Sequence, residues 1–146
     1  MKLIDSKLIE NISCEDVTEN ELQEVFDQSK EMYDLIKYER KAIGIAAPQV
    51  GIFKKFFIYK TSPTSYTLVI NPVYVKNGPE IKSKESCLSY GINNWKVVKR
   101  FKSIRVKSYS VKDDILVKEM HSINYPLSVI FQHEIDHLNG RTIFNV

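Results

Sequence analysis

The apolar positions of this chain change period as the chain proceeds, and each change marks an element. Residues 1 to about 17 hold no sustained period and read as an extended N-terminal arm. Thr18-Glu19-Asn20-Glu21 is a capping box, with a threonine at the cap and a glutamate three positions on. Behind it Leu22, Val25, Phe26, Met32, Tyr33 and Ile36 fall at helical spacing, so an amphipathic helix is expected to about residue 38. Its outward face carries Glu24, Asp27, Lys30 and Glu31. The small residues of 42–51 then predict a tight loop beneath a sheet. After it the period shortens to that of strands. Residues 54–60 and 66–75 read as strands parted by a Ser62-Pro63 turn, with a kink at Asn71-Pro72. Asn77-Gly78-Pro79 turns the chain again. Further strands are expected over 95–105 and 103–107, and Lys112-Asp113-Asp114 turns the chain into an apolar 115–120 stretch to make a hairpin. A last helix starts at Pro126, buries Leu127, Ile130, Phe131, Ile135 and Leu138, and stops at Asn139-Gly140, where glycine can adopt the left-handed conformation. The sum is an α+β fold: antiparallel strands around a central C-terminal helix, with the N-terminal amphipathic helix beside them. At 146 residues, 1–146 reads as one domain.

Composition changes this picture little. Hydrophobic residues make up 43% and charged residues 27%, ordinary for a soluble globular protein. A formal charge of +3 permits a neighbourhood of RNA without arguing for it. The basic residues Lys96, Lys99, Arg100, Lys102, Arg105 and Lys107 read first as a solvated strand face, and no sequence-specific nucleic-acid binding is expected. Two cysteines are too few for a disulfide framework, and the N-terminal residues contain no apolar run resembling a signal peptide. A cytoplasmic protein with no membrane association is therefore expected. Cys14 has Glu15 and Asp16 for neighbours, an acidic setting that keeps a thiol protonated and inert.

The last helix brings in chemistry. His133 and His137 are four residues apart, so they lie one turn apart on one helix face and can reach a single metal ion. Glu134 follows the first histidine, in reach of water at that ion, as a base. Two imidazoles leave a catalytic site one protein ligand short. Cys87, taken alone, reads as a buried structural cysteine. Beside the two-histidine helix it becomes the third donor, and a thiolate suits a transition ion better than Mg²⁺ or Ca²⁺. Gln49, set among Gly44, Ala46, Ala47, Pro48 and Gly51, reads either as a loop residue or as a rigidly held hydrogen-bond donor. His121 lacks ligand spacing and is expected outside the site.

Three stretches, 44–49 (Gly-Ile-Ala-Ala-Pro-Gln), 85–89 (Glu-Ser-Cys-Leu-Ser) and 132–137 (Gln-His-Glu-Ile-Asp-His), occur in this order. Together they resemble the three signature motifs of the peptide deformylases, a likeness spanning roughly residues 40 to 140. The resemblance implies a hydrolase that removes the N-formyl group from the formylmethionine of newly made polypeptides and releases formate. It implies one divalent ion held by Cys87, His133 and His137, with Fe²⁺ the physiological choice and Zn²⁺, Ni²⁺ or Co²⁺ able to replace it. Glu134 is then the base, and Gln49 with the backbone N–H of Leu88 stabilises charge on the formyl oxygen. Ile43, Val129 and Ile130, with the backbone of Glu85 and Ser86, would line the methionine pocket. Gly44 and Ile45 would pair with the peptide backbone. Arg100 would pair with Glu85, and Asp136 would support the ligand helix.

Two departures accompany the resemblance: Ser86 stands where the family pattern has glycine, and Tyr90-Gly91 where it has a small aliphatic residue, often followed by proline. Only 9 residues follow His137, leaving no room for the C-terminal helix that many bacterial relatives use at the ribosome. The chain is similar in this to trimmed phage forms, so ribosome docking is a weak expectation. Two other readings stand beside the enzyme. A zinc peptidase would need a third ligand downstream, and none of the residues after Gly140 is Glu, Asp or His. A deformylase-like metal-binding module without activity would be expected to have lost Glu134, Gln49 or a ligand, and all are present.

Overall fold

The computed structural model describes residues 1–146, apart from the side chain of Ile92. Among the described residues it holds seven strands and two α-helices. A 3₁₀ turn at Glu19–Glu21 leads into α1 (Leu22–Ile36). Thr18 and Glu21 form the expected capping box, the Thr18 backbone N–H donating to Glu21 Oε1 at 3.0 Å. The strands are β1 (Gly44–Ala46), β2 (Phe56–Ser62), β3 (Ser65–Lys76), β4 (Glu80–Cys87), β5 (Gly91–Phe101), β6 (Ser103–Lys112) and β7 (Ile115–Asn124), and α2 (Leu127–Leu138) closes the order.

The strands form two antiparallel sheets. One has the order β1-β2-β3-β6-β7 and the other is the β4-β5 pair. Against the larger sheet α1 buries Leu22, Val25, Met32 and Ile36, which join Ile45, Phe56, Ile58 and Ile70 in one cluster. A second cluster joins Phe57, Val69, Ile104 and Val106 to Phe131, Ile135 and Leu138 of α2. Each such side chain contributes about 1.5–3 kcal/mol by leaving water. Helix α2 touches β1, β2, β3 and β7 of the large sheet and β5 of the small one. Gln132 stitches it to β5, accepting from the Phe101 N–H at 2.9 Å and donating to the Phe101 carbonyl at 2.8 Å.

Two strands differ from the sequence expectation. The 42–51 stretch is a short edge strand, β1, followed by a 3₁₀ turn at Ala47–Val50; its small apolar residues pair with β2 in a register that places Ile45 opposite Ile58. Strand β4 was not expected, because Glu80, Lys82, Lys84 and Glu85 hide the period-2 signal of a strand with one wet face. The kink expected at Asn71-Pro72 is a register shift in β3. There Asn71 bonds the arm through both side-chain atoms, accepting from Val17 N–H at 2.8 Å and donating to its carbonyl at 3.0 Å.

The N-terminal arm is extended for much of its length, with a 3₁₀ turn at Ser6–Leu8, and it clamps the end of α2. Asn11 N–H donates to the Gly140 carbonyl at 2.8 Å, and Cys14 N–H to the Leu138 carbonyl at 3.0 Å. Gly140 has φ of +75°, and a Cβ there would meet Ile12 N at 2.5 Å. Replacing Gly140 with alanine is therefore expected to cost on the order of 1–3 kcal/mol. That would show as a lower urea midpoint with an unchanged slope. Burial pushes the Cys14 thiol up to about 11, in keeping with an inert cysteine.

Candidate metal centre

The site forms where α2, β1 and the end of β4 meet. Helical geometry sets His133 and His137 on one face, and their Nε2 atoms lie 3.2 Å apart. Cys87, the last residue of β4, brings Sγ to 3.5 Å from His137 Nε2. The three donor atoms all lie within 4.8 Å of one another. A thiol and two imidazoles converging in a buried pocket fit a divalent transition ion with one open position. An orphaned polar atom beside the donors points the same way: Glu134 Oε1 is buried without a hydrogen-bond partner. Unpartnered groups of this kind are costly in a closed interior.

Charge around the donors is organised by Arg100. Its Nε and Nη2 bond the two oxygens of Glu85 at 2.9 and 2.8 Å, and its Nη1 bonds Asp136. Glu85 Oε1 lies 2.8 Å from His133 Nδ1. The carboxylate thus turns His133 so that Nε2 faces the other donors, as partners of metal-ligating histidines do. Burial alone would raise Glu85, but the Arg100 guanidinium and His133 outweigh it and bring it down to about 2. The pairing of Arg100 with Asp136 was not foreseen. His121 sits on the surface against Glu119, away from the site as expected.

Glu134 is 4% exposed. Burial, with the nearby acids Glu85 and Asp136, pushes its carboxyl up to about 7 against the pull of His133 and Arg100. Its space exists because Gly44 has no side chain: a Cβ there would stand 3.0 Å from Glu134 Oε2 and 3.1 Å from the Ile58 carbonyl. Across the cavity Gln49 is locked by its carbonyl, which accepts from the Ala46 N–H at 2.9 Å. Its amide nitrogen is thereby aimed inward, 3.0 Å from Ser89 Oγ and 3.4 Å from Cys87 Sγ.

A cavity of about 340 Å³ opens onto these groups, lined among others by Ile43, Gly44, Gln49, Glu85, Ser86, Cys87, Leu88, Val129, Ile130, His133 and Glu134. Ile130 thus faces the cavity rather than the core face of the helix on which its spacing placed it. Ile45 is not among the lining residues; its side chain is fully buried between the sheet and α1, because the alternation of β1 turns it inward. The sequence reading missed Lys41, Lys84 and Trp95 at the rim. It also missed the role of Tyr90, whose hydroxyl donates to Glu10 at 2.6 Å and lies 3.0 Å from Thr142 Oγ1. This tethers the turn after Cys87 to both chain ends.

One thiol and two imidazoles held beside a buried carboxylate define a candidate mononuclear metal centre on an α+β frame. The chain belongs to the polypeptide deformylase family, whose model matches residues 5–146. It is 36% identical over 109 residues to a peptide deformylase of Thermotoga neapolitana, a match covering 74% of this chain and 63% of that one. It is 32% identical over 126 residues to one of Aquifex aeolicus, covering 82% and 71%. Among solved structures, the peptide deformylase of Thermotoga maritima superposes with a TM-score of 0.82 at 25% identity, over 98% of this chain and 94% of that one. That of Plasmodium falciparum superposes with a TM-score of 0.81 at 29% identity, over 97% and 83%. The chain spans less than two thirds of the length of the Thermotoga neapolitana relative.

Proposed function

We propose that this chain is a metal-dependent hydrolase that removes the formyl group from N-formylmethionyl peptides, with residues 1–146 acting as one catalytic domain. The observation that carries the reading is the convergence of Cys87, His133 and His137 on one point, at the edge of a cavity that Cys87, His133, Glu134 and Gln49 line together. The reading places α2 as the metal-binding helix at the centre of the fold, with Fe²⁺ as the ion and Zn²⁺, Ni²⁺ or Co²⁺ able to use the same donors. Held there, such an ion acidifies water and polarises a carbonyl oxygen. The Glu134 carboxylate takes the proton of the attacking water and delivers it to the departing amine nitrogen. The formyl C–N bond breaks, leaving formate and a free amino terminus. Gln49, through its amide N–H, and Leu88, through its backbone N–H, donate to the formyl oxygen as it gains charge.

Substrate positioning follows from the walls. Ile43, Val129 and Ile130 receive the methionine side chain, with Ser86 and Glu85 at its edge. The free side of β1, at Gly44 and Ile45, pairs with the peptide backbone as an added strand would. Newly made chains in the cytoplasm are the proposed substrates; docking on the ribosome through a C-terminal helix forms no part of the reading. No described helix is long and apolar enough to cross a membrane.

The test is formate release from formyl-Met-Ala-Ser by protein loaded with Fe²⁺ under anaerobic conditions. Rapid release is expected. Metal bound at one ion per chain with no release would leave only a metal-binding module.

A further inference from the structure

The cavity lies between β4 and the stretch that leads from a turn at Lys41 into β1. One wall runs outward from Gly44 through Ile43 and Ala42 to Lys41, and the other from Cys87 through Ser86 and Glu85 to Lys84. Each lysine lies three residues from the deep end of its wall, at most roughly 10 Å away along the chain. Both lysines are exposed, and among the described residues neither ammonium has a carboxylate at ion-pair distance. The neighbouring Glu39 directs Oε1 to the backbone N–H of Lys41, at 3.3 Å, rather than to its ammonium. The carboxylates that line the cavity, Glu85 and Glu134, are both buried, and Glu85 is held by Arg100 and His133. The Lys84 ammonium stands 5.1 Å over the ring of Trp95, itself 47% exposed at the rim. That contact holds the charge in place while leaving it open to solvent.

We propose that Lys41 and Lys84, with Trp95 supporting the second, form a subsite that selects an acidic side chain at the third residue of the formylated peptide. The inference rests on the deformylase reading above. An extended peptide with its formyl carbon at the metal donors places the third Cα roughly 10 Å outward, toward the rim where the two lysines stand. Side chains one and three of such a peptide share a face. When the methionine enters its pocket, the third side chain therefore stays over the cavity mouth between the lysines. An uncharged third residue meets two cations without a partner, and a basic one is repelled by both.

The experiment compares kcat/KM of the metal-loaded protein for the C-terminally amidated peptides formyl-Met-Ala-Glu, formyl-Met-Ala-Gln and formyl-Met-Ala-Lys. The order Glu, Gln, Lys is expected, with about a tenfold span from first to last at low salt, the size that two partly screened charges support. The span should shrink toward one in 1 M salt, where the screening length is about 3 Å. It should collapse in Lys41→Gln/Lys84→Gln and invert in Lys41→Glu/Lys84→Glu. Because each ratio is taken within one protein preparation, a partly folded variant does not distort it. Equal kcat/KM for all three peptides in the native protein would overturn the subsite and leave the deformylase reading standing. A span that persists unchanged in both double variants would overturn the assignment to these lysines. Absence of formate from all three would overturn the deformylase reading and the subsite with it.

Discussion

Replacing Glu134 with glutamine is expected to lower kcat for formyl-Met-Ala-Ser by about 10²- to 10⁴-fold, the range that a positioned general base supplies. The amide keeps the volume of the carboxylate, so the space against Gly44, where Glu134 Oε2 would stand 3.0 Å from an added Cβ, stays filled. It cannot take a proton from water. The substitution leaves Cys87, His133 and His137 in place, so metal content measured by elemental analysis should match the native protein. Together the two measurements separate loss of the base from loss of the ion. A fall of less than tenfold, with metal retained, would remove Glu134 from the proposed role.

The largest stability effect is expected at Arg100. This side chain is 4% exposed and bonds both oxygens of Glu85 as well as Asp136. Replacing it with methionine leaves two buried carboxylates without a cation. Breaking a buried pair from one side costs about 3–5 kcal/mol, equivalent here to a melting point lower by on the order of 10–20 °C. Adding Glu85→Gln to that variant should recover part of the loss, since one stranded charge is then gone; a double-mutant cycle on the melting points measures the coupling. The same change frees the carboxylate that turns His133, and losing such a partner typically weakens metal affinity 10- to 100-fold. Competition with a chromophoric chelator would read that second effect. A melting point within a few degrees of native would show that Arg100 is not the organiser of these charges.

The legible and illegible parts of this protein divide along physical lines. His133, Glu134 and His137 are legible because helix geometry converts a four-residue spacing into one face. The capping box at Thr18 and the stop at Gly140 are local chemistry and stand where the sequence put them. The expectation that Cys87 completes the donor set needed two distant stretches to be considered together, and the structure does bring their atoms within reach. Strand β4 escaped because its solvent-facing positions are charged and only Ile81 breaks the polar run. Strand β1 escaped because three residues at a sheet edge, two of them small, carry no period. The link from Arg100 to Asp136 joins β5 to α2 across 36 positions, and no local signal records it. The rim lysines escaped for the opposite reason: each reads as an ordinary surface charge until the fold sets it beside the same cavity.

The missing side chain at Gly44 has a consequence for escape from inhibition. A small molecule seated in the cleft between β1 and β4 contacts the wall at Gly44, and the simplest way for a protein to expel such a molecule is to enlarge a residue of that wall. Here that route is costly. A Cβ at position 44 stands 3.0 Å from Glu134 Oε2 and 3.1 Å from the Ile58 carbonyl, so the change that blocks the drug presses on the carboxylate it was meant to protect. Selection under such a compound should therefore yield changes at the outer residues, Ile43, Lys41 or Trp95, and leave Gly44 untouched.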